Sequence, residues 1–240
     1  MTTNNIHNLT SLWKTAALAF DSYQALPYFD YAYVEGAQWP NRLWFHQDLT
    51  KASVLAAKLI LEKTPTPLII PYFDIYNNRS FELLEAEGFQ ISLEQIAMFL
   101  KPKELVQEKA NFHLQKVSNK IQANLWAKLF KQAFGYLISP ETVLRNLPYL
   151  SYYIAYDNGQ AIGTGLTNLT HQTVGVHSIG VPPTMRRKGF AEAIMINLIN
   201  QAIEDQVETI TLQASKMGKG LYLKLGFQEQ FEIKSYRLNV

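Results

Sequence analysis

The chain has 240 residues, 48% hydrophobic and 18% charged, which is typical of a globular protein of one large or two small domains. Its net charge of +2 indicates neither a nucleic acid nor a membrane surface as partner, and the absence of cysteine excludes disulfides, thiolate metal sites and a cysteine nucleophile. The N-terminus lacks the basic and apolar regions of a signal peptide, and no apolar run is long enough for a membrane span. We therefore expect a soluble cytoplasmic protein without a metal.

The first hundred residues are predicted to alternate helices and strands. Apolar residues at helical spacing predict an amphipathic helix over residues 9–25, and Pro27 ends it. Gly88 stands in the C-cap position of a later helix. The other predicted elements are strands at 28–34 and 42–45, a helix at 52–61, a strand at 68–70, a helix at 80–87 and a strand at 89–100.

Residues 101–109 are polar and charged and show little apolar periodicity. We interpret them as a linker between a domain of residues 1–105 and a domain of residues 106–240. They are also compatible with a solvated edge of one continuous domain.

The second segment mixes helices with a strand meander. Ser139 followed by Pro140 marks a helix start, and Asp157-Asn158-Gly159 marks a hairpin turn. This alternation predicts a three-layer α/β fold with a mixed sheet. The predicted elements are a strand at 112–117, a helix from about 121, a helix from 140, strands at 149–156, 160–169 and 173–181, a helix from about 187, a strand at 207–214, a helix at 218–225 and a strand at 231–238.

A basic loop leads from the strand ending at Val181 into an apolar helix. Its residues supply charge at Arg186, Arg187 and Lys188, a close backbone approach at Gly189, and a small side chain at Ala191. Because the first N–H groups of a helix are unpaired and carry a partial positive charge, this loop is suited to bind a pyrophosphate. A solvated basic turn is the alternative.

Two motifs together resemble the GNAT N-acetyltransferase superfamily. Arg186-x-x-Gly189-x-Ala191 after a strand resembles the acetyl-CoA loop of that family. Leu221-Tyr222-Leu223-Lys224-Leu225-Gly226-Phe227 resembles its later motif, in which a Tyr precedes a Gly-Phe pair. The resemblance covers residues 110–240 and implies a mixed, mostly antiparallel sheet between two helical layers.

The resemblance also implies a pose for acetyl-CoA as co-substrate. Strands like 173–181 and 207–214 splay apart, and the pantetheine lies between them, paired with the backbone near Ile179 and Val181. The N–H groups from Arg187 through Lys188, Gly189 and Phe190 to Ala191 are then expected to hold the pyrophosphate. Ser215 stands where many relatives have an Asn that contacts the coenzyme, and it would serve more weakly.

Tyr222 matches the general acid of the family. A phenol titrates near 10 and a thiol near 8.5, so a positioned Tyr can protonate the departing CoA sulfur. A ring that only packs beside Phe227 is the alternative. Arg145 and Tyr149 are expected near the acceptor side, with plain surface roles more natural for both.

His177 is the candidate general base. The family often uses a Glu on the strand before the loop, or ordered water, but residues 173–181 contain no acid, and His177 is their titratable group. Strand alternation predicts that His177 shares a face with Ile179 and Val181. A hydrogen-bonded structural histidine is the alternative.

The first segment echoes the second. A helix, Gly88-Phe89 and a strand repeat the order around Gly226-Phe227, but residues 46–51, at the loop position, contain neither Gly nor Arg. We interpret residues 1–105 as a degenerate GNAT-like copy, with chance similarity as the alternative. The tyrosines at 28, 31 and 33 would then help to wall the acceptor pocket.

Two functions remain in competition. The first is an acetyl-CoA-dependent N-acetyltransferase acting by direct attack on a small-molecule or peptide amine, and the second is a non-catalytic acyl-CoA-binding sensor or interaction module. The missing strand Glu favours the second slightly, whereas Tyr222 and the intact loop favour the first more. A third function, a scaffold without coenzyme, requires that the basic loop at residues 186–191 binds no ligand. The acceptor stays open among polyamine, aminoglycoside, amino acid, peptide N-terminus and protein lysine, and tandem halves favour a monomer.

Overall fold

The computed structural model describes residues 2–238, so that the ends of the two predicted segments, residues 1, 239 and 240, lie outside the described residues. An eight-stranded sheet, mostly antiparallel, lies between helical layers, which confirms the predicted fold class. No helix within residues 2–238 combines the length and apolarity needed to cross a bilayer.

The first segment contributes a small three-stranded sheet, three helices and two strands of the large sheet. Most of the predicted elements occur, and the strand at 89–100 has the predicted bounds. The elements are α1 (Thr2–Leu18), β1 (Tyr23–Ala25), β2 (Phe29–Ala32), β3 (Arg42–Phe45), α2 (Lys51–Leu61), β4 (Ile70–Asp74), α3 (Glu82–Ala86) and β5 (Phe89–Leu100).

The second segment contributes the other six strands of the large sheet and four helices. Ser139 caps a helix as predicted, since its side chain accepts a hydrogen bond from the Thr142 N–H. The elements are β6 (Phe112–Lys116), α4 (Lys120–Phe134), α5 (Pro140–Asn146), β7 (Ser151–Asp157), β8 (Gln160–Thr170), β9 (Thr173–Gly180), α6 (Phe190–Glu204), β10 (Thr209–Ser215), α7 (Lys219–Lys224) and β11 (Gln228–Leu238).

The large sheet takes strands from both segments in the order β4-β11-β5-β10-β9-β8-β7-β6. β5 of the first segment lies between β10 and β11 of the second, with Ala97 opposite Gln213 on one side and Phe231 on the other. β4 pairs with β11 at the edge. The two segments therefore share one sheet and exchange their last strands.

One order of elements occurs twice along the chain: β3-α2-β4-α3-β5 and β9-α6-β10-α7-β11. An isolated parallel bridge joins Arg42, the first residue of β3, to Ile69, the residue before β4, and β9 and β10 also pair in parallel. The helix before each last strand ends at a glycine with φ +88°, Gly88 or Gly226. A left-handed C-cap of this kind suits glycine, and a buried phenylalanine follows each one.

The N-terminal helix differs from the prediction of residues 9–25. α1 begins at Thr2 and ends at Leu18, and residues 23–25 form β1. Asn5 and Asn8 are fully buried because their Nδ2 atoms donate to the carbonyls of Met98 at 3.1 Å and Asn168 at 2.9 Å. These partners lie more than 90 residues away in the sequence, so apolar periodicity alone does not reveal that the helix begins at Thr2.

The predicted linker has neither helix nor strand over residues 101–109, but it is docked on α6. The side chain of Asn200 accepts from the Val106 N–H at 2.9 Å and donates to the Val106 carbonyl at 2.8 Å. Further along, Lys109 pairs with Asp157 and lies 4.9 Å from the centre of the Phe190 ring.

Candidate functional site

A gap opens in the sheet between β9 and β10. These strands pair only from Thr173 opposite Thr209 to Gly175 opposite Thr211. Beyond that point β10 continues beside β5, while β9 continues beside β8 as far as Gly180. The edge groups of β9 after Gly175 therefore face a gap, as the resemblance implied.

A β-bulge lies in β9 beside this gap. Leu166 of β8 stands opposite His177 and Thr164 opposite Gly180, so β9 has one extra residue, and Ser178 has φ +55°. Val176 and Ile179 consequently both pack on the α6 side of the sheet. The expectation that His177 shares a face with Ile179 and Val181 is wrong, because the bulge reverses the alternation between them.

His177 lies on the opposite face, beneath α1. A Cβ placed on Gly175 would be 2.5 Å from His177 Nε2 and 1.8 Å from Asn8 Oδ1, so the missing side chain makes room for both groups. His177 Nε2 is buried and accepts or donates no hydrogen bond among the described residues. Burial lowers the pKa of His177 to about 4, although the neighbouring Gln213 side chain acts in the opposite direction. The imidazole is therefore neutral at physiological pH.

The N-terminus of α6 carries no cap. Gly189 is its N-cap residue, with φ +76° and no side-chain hydrogen bond, and Arg187 before it has φ +63°. The first helical bond at this end joins the Ala193 N–H to the Gly189 carbonyl at 3.0 Å. The N–H groups of Phe190 and Ala191 consequently have no partner within the helix and are available to an anion.

The side chain of Arg186 supports the loop. Its Nε donates to the Val181 carbonyl at 3.1 Å, and a terminal nitrogen donates to the Ala133 carbonyl near the end of α4 at 2.9 Å. The resemblance placed Arg186 among the charged residues of the loop, and the structure gives it a clamping contact between β9 and α4.

The local charge around the loop is positive. The Arg187 and Lys188 side chains are exposed, whereas Glu192 in the first turn of α6 is paired with Lys224 at 2.7 Å. Among the described residues, the carboxylate of the first turn is thereby paired, and the positive side chains of Arg187 and Lys188 add to the positive end of the helix dipole.

Tyr222 and Ser215 lie where β10 leads into α7. The Tyr222 ring is 5.9 Å from the Phe227 ring, and burial raises the pKa of Tyr222 to about 12, so its hydroxyl is protonated at neutral pH. Ser215 Oγ accepts from the Gly218 N–H at 3.3 Å and supports the turn into α7.

The two residues expected near the acceptor side have structural or surface positions. Arg145 donates to the Ala19 carbonyl at 3.2 Å and pairs with Glu141 at 2.7 Å, which ties α5 to the end of α1. Tyr149 is 69% exposed.

The tyrosines of the first segment do not wall the gap. Tyr31 and Tyr33 pack into the core formed with α2 and β4, and Tyr28 is 50% exposed. The first segment reaches the gap through α1 instead, where Asn5 Oδ1 accepts from Gln213 Nε2 at 2.9 Å. No sequence signal marks Asn5, because asparagine in a polar N-terminal stretch reads as solvated.

Comparison with known families identifies the second segment. The model of the acetyltransferase (GNAT) family matches residues 121–227. These residues form a GNAT domain. A search of curated proteins found no match to the chain.

Solved structures share the fold over nearly the whole chain. A GCN5-related N-acetyltransferase from Kribbella flavida superposes with a TM-score of 0.71 at 13% identity, covering 95% of each chain. A conserved protein of unknown function from Staphylococcus epidermidis superposes with a TM-score of 0.67 at 16% identity, covering 90% of this chain and 93% of its own. A putative acetyltransferase of the GNAT family from Novosphingobium aromaticivorans superposes with a TM-score of 0.62 at 10% identity, covering 92% of this chain and 94% of its own. The shared fold thus includes the first segment as well as the GNAT domain.

Proposed function

We propose that the chain is an acetyl-CoA-dependent N-acetyltransferase that acetylates a primary amine by direct attack in a ternary complex. The observation that carries the proposal is the uncapped start of α6 beside the gap between β9 and β10. A pyrophosphate complements the free N–H groups, and strand-edge groups complement the pantetheine amides. Membership of residues 121–227 in the GNAT family supports the same coenzyme.

The coenzyme contacts follow from this arrangement. The N–H groups of residues 187–191 hold the pyrophosphate, with Arg187 and Lys188 adding charge. The backbone near Ile179 and Val181 pairs with the pantetheine. The Val181 carbonyl accepts from Arg186 and retains a second lone pair for this purpose. Ser215 is a weaker polar contact at the far side of the gap.

Acetyl transfer needs a group that stabilises the leaving sulfur. The amine nitrogen attacks the thioester carbon, the C–S bond breaks, and the CoA sulfur leaves as a thiolate. With a pKa of about 12, Tyr222 is a weaker acid than a thiol near 8.5, so full proton transfer is uphill by roughly 5 kcal/mol. We propose that the Tyr222 hydroxyl donates a hydrogen bond to the developing thiolate.

The amine also loses a proton. His177 is the candidate base of β9, but a pKa of about 4 makes it a weak one, and its Nε2 is buried. We therefore propose that ordered water takes the proton and that His177 supports the bulge beside the reacting carbonyl. Proximity in the ternary complex supplies the main rate enhancement.

The test of the enzymatic role is thiol release from acetyl-CoA with a panel of amines. Tyr222→Phe is expected to lower kcat by about 10²-fold without changing acetyl-CoA affinity. Tyr149→Phe, at an exposed tyrosine, serves as the matched control and should keep the wild-type rate. An unchanged rate in Tyr222→Phe would remove this residue from the mechanism.

A non-catalytic acyl-CoA-binding module is the second candidate. It is favoured by the weak basicity of His177 and by the lack of an acid among residues 173–180. Tight acetyl-CoA binding with no thiol release for any amine of the panel would support it over the transferase.

We also propose that residues 1–105 are a degenerate copy of the GNAT-like half in residues 106–240. The repeated order of elements and the matching Gly-Phe helix ends support this relation. The strand exchange between the halves takes place within one chain, which favours a monomer.

A further inference from the structure

Three buried polar atoms lie at the fork where β9 and β10 part. They are Asn8 Oδ1, His177 Nε2 and Thr211 Oγ1, and none forms a hydrogen bond with any residue in the range 2–238. Asn8 and Thr211 are 0% and 1% exposed. A buried polar atom without a partner is costly, so native structures normally supply one.

The sheet register brings these side chains together on the α1 face. A Cβ on Gly175 would clash with both Asn8 Oδ1 and His177 Nε2, so the two atoms share the space over this glycine. Thr211 stands opposite Gly175 in the last pair of β9 and β10, about 5 Å across the sheet. Its side chain points to the same face, because both of its neighbours in β10 pack on the α6 side.

The orientation of the Asn8 amide is fixed by its partners. Its Nδ2 donates to the carbonyls of Asn168 at 2.9 Å and Thr173 at 3.2 Å, and to Thr170 Oγ1 at 2.8 Å. Asn168 Nδ2 donates in return to the Asn8 carbonyl at 3.0 Å, which holds α1 in this position. Oδ1 is therefore the amide atom turned toward Gly175, and it offers only lone pairs.

These groups match the hydrogen-bonding capacity of one water molecule. A water donates its two protons to Asn8 Oδ1 and to His177 Nε2 and accepts from the Thr211 hydroxyl, which leaves it one free lone pair. Nε2 accepts such a bond in the neutral imidazole that carries its proton on Nδ1. A buried water typically makes about three hydrogen bonds to polar groups that otherwise lack partners.

The fork lies on the path of the proposed coenzyme. With the pyrophosphate at the start of α6, the pantetheine runs back along β9 from Val181, and its thioester end points toward Gly175. The coenzyme then occupies the gap from the α6 side. Asn8, His177 and Thr211 lie on the α1 side, from which an amine reaches the thioester carbon.

We propose that Asn8, His177 and Thr211 bind one water molecule and that this water takes the proton of the attacking amine. The amine nitrogen bonds to the thioester carbon, and its N–H proton passes to the free lone pair of the water. The water passes one of its own protons to His177 Nε2, and the C–S bond breaks to release the thiolate. The inference rests on the proposed function, and it makes α1 of the first segment part of the reaction site.

Thr211 is the residue best suited to a test, because valine has nearly the shape of threonine without the hydroxyl. Thr211→Val removes the donor to the water, and Thr211→Ser keeps it. Thr209→Val is the matched control, since Thr209 is also buried and lies two residues earlier on the same face of β10.

The rate is measured as thiol release at saturating acetyl-CoA and amine. Thr211→Val should lower kcat by about tenfold or more, with KM for both substrates and the calorimetric affinity for acetyl-CoA unchanged. Thr211→Ser should keep most of the wild-type kcat, and Thr209→Val should keep all of it. A hydroxyl that only supports the fold would not separate kcat from KM in this way, and thermal unfolding confirms that each variant is folded.

A high-resolution crystal structure of the full-length protein tests the water directly, even where a variant fails to fold. A water within hydrogen-bond distance of Asn8 Oδ1, His177 Nε2 and Thr211 Oγ1 is the expected result. Direct bonds among these atoms without a water would overturn the inference while leaving the transferase intact, as would a wild-type kcat in Thr211→Val. A bound water together with no thiol release from any amine would reject the transferase and the water's part in it, but not the water site.

Discussion

The starts of α2 and α6 occupy the same place in the repeated order of elements, yet only one is open to a ligand. At α2, Thr50 Oγ1 accepts from the Ser53 N–H at 3.1 Å, and Ser53 Oγ accepts from the Thr50 N–H at 3.0 Å. At α6, Gly189 has no side chain to play this part. A capping box uses the N–H groups that an anion would need, so the first helix start is closed by its own sequence.

The loops before the two helices also differ in charge, and the difference again favours an anion only at α6. Asp48, before α2, accepts hydrogen bonds from Asn78 and Ser80 and brings a negative charge. Arg187 and Lys188, before α6, are exposed cations. A common topology therefore leaves the anion site to be decided by a few residues at one helix end.

The gap beside each loop differs as well. In the first segment the space near the ends of β3 and β4 is a cavity of about 20 Å³, walled by Phe45, Leu49, Tyr72 and Tyr76. This is room for about one water molecule. Aromatic side chains thus fill the place that corresponds to the gap between β9 and β10.

The two segments share one sheet, so truncation has the largest expected effect. Residues 106–240 alone lack β5, which lies between β10 and β11, and they lack α1 with its buried asparagines. We expect this shortened chain not to fold, as followed by circular dichroism and thermal unfolding. A cooperative transition together with acetyl-CoA binding would contradict the shared sheet.

The second segment has a buried imidazole, His177, beneath α1. We expect it to make the free energy of unfolding depend on pH, an effect of intermediate size. The pKa of His177 in the folded chain is about 4, below the ordinary value near 6.5, so the unfolded chain binds the proton more readily. The free energy of unfolding should therefore fall as pH drops from 6.5 toward 4, by at most about 1.4 kcal/mol per pH unit from this group. Urea unfolding at several pH values measures the slope.

His177→Asn should flatten this pH dependence, whereas His113→Asn, at an exposed histidine, should keep the wild-type slope. Identical slopes for wild type and His177→Asn would show that His177 is not buried in the neutral form.

The cap of α2 gives the smallest expected effect. Thr50→Ala removes the capping hydrogen bond and should lower the free energy of unfolding by about 1 kcal/mol, measured by urea unfolding. Acetyl-CoA affinity should not change, because we propose that the coenzyme binds at the start of α6 and not at this helix start. Thr10→Ala is the control for the loss of a threonine hydroxyl away from a helix start, because the Thr10 hydroxyl donates to the Ile6 carbonyl within α1. A change in acetyl-CoA affinity in Thr50→Ala would mean that the first helix start takes part in binding.

The parts predictable from the sequence are those governed by neighbouring residues. The bounds of β5, the Ser139 cap and the left-handed glycine at 88 follow from periodicity and capping chemistry. The loop before α6 is recognisable in the sequence because Gly189 and its basic neighbours are contiguous.

The rest depends on contacts across the chain. The insertion of β5 between β10 and β11 has no local signal in the sequence, because strand pairing depends on tertiary contacts between residues far apart in the chain. Asn5 is buried through partners more than 90 residues away. One extra residue at Ser178 moves His177 to the other face, and alternation alone does not reveal a bulge.

The most direct test of the anion site is calorimetric titration of acetyl-CoA into wild type, Gly189→Asp and Gly36→Asp. Both glycines have a left-handed φ, +76° and +71°, and open space around a Cβ, so the two variants share strain and charge and differ in place. Binding in the micromolar range by wild type and Gly36→Asp, weakened by about a hundredfold or more in Gly189→Asp, is the result expected for a pyrophosphate at the start of α6. Equal binding by all three, or no binding by wild type, would contradict it.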